Sequence, residues 1–200
     1  MRTRIDVGED GSLSLTRYYT ATTLDGFIAD ENHSLDWLFT REQDRDGPLN
    51  YAEFLAGVGA LAMGSRTYQW ILDHAPADED PARLKWPYDV PCWVFTHRQL
   101  RVVPGAAITF TSAEVRAVHA EMVAAAGGRN VWIVGGGELA GQFADARLLD
   151  DVVVYVAPVT LGAGAPLLPR RLELRLEETA QNGDFVTARF SVVHGSQPIA

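Results

Sequence analysis

The sequence predicts an α/β fold: a central, mostly parallel mixed sheet, flanked by helices and closed by a C-terminal antiparallel hairpin. Three observations carry this prediction. Short β-branched or apolar runs alternate with helix-like segments, as a parallel sheet with helical crossovers requires. Val152 to Val156 has no polar side chain except the Tyr155 hydroxyl, the pattern of a strand covered on both faces. Asn182-Gly183 separates two strand-like runs, the signature of a tight hairpin turn.

Taken in order, Leu15 to Thr23 is rich in Thr and Tyr and stops at Leu24-Asp25-Gly26, so it reads as a strand. Asn50 and Glu53 have the spacing of a capping box and open a short helix through Leu55. Ala60 to Met63 is a buried strand, which Gly64-Ser65 turns into a helix through Leu72. Residues 73–90 carry five acids and three prolines and read as an exposed loop. Cys92 to Phe95 and Ile108 to Phe110 are the next strands. Thr111 and Glu114 suggest a second capping box. The helix after it places Val115, Val118, Met122 and Ala126 on one face and ends at Gly127-Gly128. Val131 to Val134 is a buried strand running into Gly135-Gly136-Gly137 and a helix to about Arg147. Leu172, Leu174 and Leu176 alternate with charged residues, and Phe185 to Val193 returns from the hairpin.

No composition shift or linker divides the chain. Residues 1–14 read as a flexible N-terminal segment and residues 15–200 as a single domain. With 47% hydrophobic and 22% charged residues the chain has a globular composition. A net charge of −9 repels phosphate backbones, which argues against nucleic acid and anionic membranes as partners. Met1 to Arg4 is followed by no apolar stretch, so the expected location is the cytoplasm. A single cysteine, Cys92, allows no internal disulfide. No metal is expected. His119-Ala120-Glu121 matches half of a zinc-deaminase motif, but the order of the halves is reversed and the second cysteine is missing. Packing on a helix face is the expected role of His119.

Phosphate chemistry is expected at three strand ends. Three glycines between a buried strand and a helix let backbone approach a ligand, and the helix start offers unpaired N–H groups. Gly135-x-Gly137-x-x-Ala140 also matches the Rossmann fingerprint, which needs an acid about 20 residues on to hold a ribose. Ala157-Pro158 stands there instead, which disfavours that reading. Met63-Gly64-Ser65-Arg66-Thr67-Tyr68 is the second turn, with a charge and hydroxyls at a helix start. Phe95-Thr96-His97-Arg98 is the third.

These residues resemble the dihydrofolate reductase superfamily. They are most similar to the reductase domain of bacterial riboflavin-biosynthesis deaminase–reductases and their stand-alone relatives. Five short motifs in the right order carry the resemblance. They are Thr23 to Ala29, Met63 to Tyr68, Thr96 to Arg98, Gly135 to Leu139 and Pro158 to Leu167.

The resemblance implies a three-layer dihydrofolate reductase-like fold, NADPH lying across the strand ends, a small heterocyclic substrate and commonly a homodimer. By position, Val134, Gly135, Gly136, Gly137, Glu138 and Leu139 would cradle the pyrophosphate, with a cis bond between Gly135 and Gly136. Gly64, Ser65, Arg66 and Thr67 would bind phosphate oxygens. Thr96 with Arg98 would hold the adenosine 2′-phosphate, and His97 between them would belong to the cofactor site. Thr22, Leu24, Asp25, Gly26 and Ile28 would border the nicotinamide and the substrate.

The sequence departs from folate enzymes in three places. Ser65 stands where they usually have arginine, and Ala140 and Glu138 where they have tyrosine and often a basic residue. Their acid should fall near Asn50 to Glu53, but Asn50 cannot donate a proton and Glu53 serves the capping box. The expected activity is therefore hydride transfer to a ribosylamino-pyrimidine or pterin-like ring. A true dihydrofolate reductase and a non-catalytic NADPH-binding protein are the alternatives. The acids expected near the substrate are Asp25, Asp36 and Glu53, with Asp25 first.

Overall fold

The computed structural model describes residues 14–74 and 85–194. The expected flexible segment therefore lies outside the described residues apart from Ser14, as do residues 75–84 of the expected loop. In chain order the elements are β1 (Thr16–Thr23), β2 (Phe27–Ala29), α1 (Asp36–Phe39), α2 (Tyr51–Ala56) and β3 (Val58–Gly64). They continue with α3 (Ser65–His74), β4 (Cys92–Phe95), β5 (Ile108–Thr111), α4 (Val115–Ala126) and β6 (Asn130–Gly135). The last are α5 (Gly137–Asp145), β7 (Asp151–Ala157), β8 (Ala165–Pro166), β9 (Leu174–Asn182) and β10 (Phe185–Val192).

Eight strands form one sheet in the order β5-β4-β3-β6-β1-β7-β10-β9. The first six run parallel; β10 is antiparallel to β7, and β9 to β10. The Asn182-Gly183 hairpin forms as expected, with Gly183 at φ 58 and Phe185 paired to Asn182. β2 and β8 make a separate two-stranded ribbon, pairing Phe27 with Pro166 and Ala29 with Ala165.

Strand alternation sorts side chains to the two faces. Tyr18, Ala60, Ala62, Val131, Ile133, Val152 and Val154 pack under α4 and α5, against Met122, Ala126, Leu139 and Phe143. Tyr19, Val58, Leu61, Met63, Trp132, Val153 and Tyr155 pack on the other face, against Tyr68 and Ile71 of α3 and Phe54 of α2. These are the three layers that the family resemblance implies.

Several local expectations need correcting. Thr111 does not cap α4. Its carbonyl still accepts from Thr96 N in the sheet, so the chain needs a further turn before the helix, and Glu114 takes the N-cap position. Thr111 Oγ1 accepts from Ala113 N instead. In the first box, Asn50 Oδ1 does accept from Glu53 N at 2.9 Å. Helix α3 continues past Leu72 to His74, and α5 ends at Asp145, with Arg147 at φ 58. Trp86, Tyr88 and Val90, in the segment expected to be exposed, are half-buried against the core. β9 begins at Leu174, leaving Leu172 outside it.

Candidate active site

The connections around β3 and β6 create the site. From β3 the chain moves through α3 to β4, toward one edge of the sheet. From β6 it moves through α5 past β1 to β7, toward the other. Parallel crossovers are right-handed, so opposite directions send the two helices to opposite faces. The core contacts agree: α3 packs on one face and α5 on the other. The strand ends of β3 and β6 therefore part at a topological switch point, where open α/β sheets bind their ligands. A cleft of about 1480 Å³ lies there.

Two helix starts face this cleft. Gly136 occupies the N-cap of α5 and has no side chain to cap it. The first amides of the helix are left for a ligand or solvent. Gly137 must be glycine: a Cβ there would stand 2.2 Å from the Pro166 carbonyl oxygen and 2.3 Å from that of Leu167. The peptide between Gly135 and Gly136 is cis. The start of α3 lies alongside, because Met63 pairs with Gly135. A Cβ on Gly135 would come within 3.0 Å of Thr67 Oγ1. Beyond β3, Thr96 Oγ1 accepts from Arg98 N at 2.9 Å and fixes the turn that carries the Arg98 guanidinium.

Fourteen residues expected to contact the cofactor line this one cleft: Ile28, Gly64 to Thr67, Thr96 to Arg98, and Val134 to Leu139. Glu138 would oppose an anion, but Arg170 holds its carboxylate at 2.6 Å and also bonds Asp145 at 2.7 Å. Arg66 and Arg98 supply positive charge to the cleft.

The remaining expected residues lie outside the lining. Thr22 is buried, and its hydroxyl donates to the Phe27 carbonyl at 3.1 Å. Leu24 is 69% exposed, and Gly26, at φ 83, forms the turn between β1 and β2. Asp25 ties that turn to the loop after β7. It accepts from Thr23 Oγ1 at 2.6 Å, from Gly162 N at 2.7 Å and from Leu161 N at 3.1 Å. The Thr23 hydroxyl above all, then the Gly162 and Leu161 amides, hold its carboxyl below the usual range. This bonding fits an anchor that stays ionised, not a group that gives up a proton. Glu53 is exposed on α2 and Asp36 is exposed at the start of α1, and neither borders the cleft.

Sequence reasoning missed the other end of the cleft, lined by Thr20, Phe27, Asp30, His33, Leu35 and Trp70. Asp30-x-Asn32-x-Ser34 carried a signal, because an aspartate followed by such residues closes its own turn. The ribbon pairing of β2 with β8 had none: two and three residues are too short for a period. That pairing brings Gly162 to Pro166 over the site.

Outside the cleft, His119 packs as expected, 2.7 Å from Thr16 Oγ1 and edge-on to Phe143. Among the described residues, no helix is long and apolar enough to cross a membrane.

The comparisons with known proteins agree with this geometry. A protein of Bacillus subtilis, the uncharacterized protein YwjB, is 34% identical over 179 residues, covering 88% of this chain and 96% of its own. A putative riboflavin biosynthesis protein from a Shewanella species superposes with a TM-score of 0.74 at 23% identity, covering 90% of this chain and 99% of its own. The Enterococcus faecalis dihydrofolate reductase, solved with NADP(H), gives 0.52 at 13% identity, over 89% of this chain and 96% of its own. The fold is therefore dihydrofolate reductase-like. The model of the RibD C-terminal domain matches residues 16–184, and the chain belongs to that family.

Proposed function

We propose that the protein is an NADPH-dependent reductase that transfers hydride to a small heterocyclic metabolite. The substrate would be 5-amino-6-(5-phosphoribosylamino)uracil, a close relative of it, or a pterin-like ring. The observation that carries this reading is the switch-point cleft, with an uncapped helix start and two arginines among its lining residues. Gly137 admits the Pro166 and Leu167 carbonyls against the glycine turn, and the donors at the helix start are backbone amides and hydroxyls. These residues fit a dinucleotide phosphate. Gly135 to Leu139 would hold the pyrophosphate, Ser65 to Thr67 its further oxygens, and Arg98 the 2′-phosphate. When bound, the dihydronicotinamide supplies the hydride.

The chain's own residues would do the remaining work. The three phosphate-binding turns lie at β4, β3 and β6, so the reacting ring is left beside β1 and β2. There Phe27, Ile28 and Leu35 present apolar surface that excludes water. Asp25 clamps the turn after β1 to Leu161 and Gly162 and so closes that side of the site.

The proposed assembly is a homodimer in the cytoplasm. Leu174, Leu176 and Val186 are 40%, 55% and 57% exposed on β9 and β10, an apolar surface that a second copy would cover. A panel of pyrimidine and pterin metabolites, scored by NADPH consumption at 340 nm on the purified chain, tests the activity. Turnover of one member is expected. NADPH binding without turnover of any would leave only the binding function.

A further inference from the structure

His33 borders the cleft at the end formed by β1 and β2, and its backbone has φ 63. A non-glycine residue in the left-handed region is uncommon, and a tightly bonded loop enforces it here. Asp30 Oδ1 accepts from Asn32 N and from Ser34 N, both at 2.8 Å. Asp30 N donates to the Ser34 carbonyl at 3.2 Å, and His33 N donates to the Asp30 carbonyl at 3.0 Å. The loop therefore fixes where the imidazole leaves the backbone. Among the described residues, no hydrogen bond or ion pair engages the His33 ring.

The acids that share the cleft are otherwise occupied or badly placed. Asp30 closes the loop, Glu138 is held by Arg170, and Glu114 sits at the far end beside Thr111. His97 lies next to Arg98, among the phosphate-binding turns. Glu31 remains, but imidazole is the side chain that most often serves as a general acid at neutral pH.

We propose that His33 hands the proton to the substrate atom reduced in this site. The inference rests on the reductase reading above. Hydride addition to a C=N or C=O carbon forms the new C–H bond and moves the π electrons onto the heteroatom. The imidazolium N–H proton then forms the N–H or O–H bond. The neutral imidazole, exposed at the cleft mouth, regains a proton from solvent, so each turnover consumes one dihydronicotinamide and one solvent proton.

The charged groups that line the cleft with His33 are Asp30 and Glu31 on its loop, Arg66 at the start of α3, Glu138 on α5, and His97, Arg98 and Glu114. These are the same in both redox states of the cofactor. Only the nicotinamide ring changes, carrying a positive charge when oxidised.

NMR spectra of the imidazole rings in the full chain, saturated first with NADPH and then with NADP⁺, read this directly. The His33→Asn variant, which tolerates the left-handed backbone, assigns the signal. The His33 ring signals are expected to shift between the two complexes, while those of His74 do not move. With a substrate from the metabolite panel, His33→Asn should lose about a hundredfold in kcat at little change in KM. Coincident His33 ring signals in the two complexes, with both cofactors bound, or an unchanged kcat in His33→Asn, overturn the His33 assignment alone. Failure to bind either cofactor overturns the reductase reading and the assignment with it.

Discussion

The two ends of the cleft are built on different principles. At the β4, β3 and β6 end, the groups available to a ligand come from backbone amides, hydroxyls of Ser65 and Thr67, and two arginines. Their placement follows from where parallel strands stop and helices start, which is local in sequence. At the β1 and β2 end, the lining is assembled from distant segments. Residues 27–35, Trp70 of α3 and the loop before β8 meet only through tertiary pairing. The first end fits a ligand's invariant phosphates; the second is free to vary with the molecule being reduced.

The largest expected effect belongs to the first end. Gly137→Val would drive a side chain into the Pro166 and Leu167 carbonyls, which are backbone and cannot swing away. It should abolish detectable NADPH binding and lower stability by about 3 kcal/mol, roughly 6–12 °C in Tm. Thermal unfolding and tryptophan quenching would measure both. An unchanged Tm would show that β8 is not packed on the glycine turn.

Arg98→Ala comes next. It should weaken NADPH by about tenfold to a hundredfold while leaving NADH unchanged, because a charge-assisted phosphate contact is worth about 1.5–3 kcal/mol. Equal losses for both cofactors would move the 2′-phosphate elsewhere in the cleft.

Asp25→Asn sharpens the contrast from the other end. An amide can still accept one bond but cannot hold Thr23, Leu161 and Gly162 as the carboxylate does. A loss of about threefold to tenfold in kcat/KM is expected, with NADPH affinity kept and the pH profile unchanged in shape. A hundredfold loss with a missing inflection would make Asp25 the proton donor.

The smallest effect lies outside both ends. Burial lowers the pKa of His119 below the ordinary 6.5, so the fold holds the neutral ring. Its stabilisation is therefore present above about pH 6.5 and is lost as pH falls through that value toward the depressed one. Unfolding midpoints at pH 7 and pH 5 should differ less in His119→Gln than in the unaltered chain. NADPH binding at pH 7 should be the same in both.

The same division explains how much was legible in the sequence. Val131 to Leu139 announces a strand, a glycine turn and a helix within nine residues, so these elements could be read. Gly127-Gly128 and Asn182-Gly183 likewise mark ends by backbone conformation alone, at φ 60, 84 and 58 for the three glycines. Asp25 was legible as a turn former, but its bonds to residues 161 and 162 cross 136 positions or more and leave no local pattern. Glu53 fell to the same limit. Its motif is a helix start whichever way the helix faces, and only packing turns it away from the cleft. His33 was overlooked because the turn signal around it, Asp30-x-Asn32-x-Ser34, does not say which residue takes the left-handed backbone or faces the cleft.

The most direct test of the central claim is a crystal structure of the NADPH complex. The account predicts the pyrophosphate against the amides at the start of α5, the 2′-phosphate at Arg98, and the nicotinamide between Ile28 and the His33 loop. A cofactor bound outside the crevice between β3 and β6, or lying with its adenine beside β1, would contradict it.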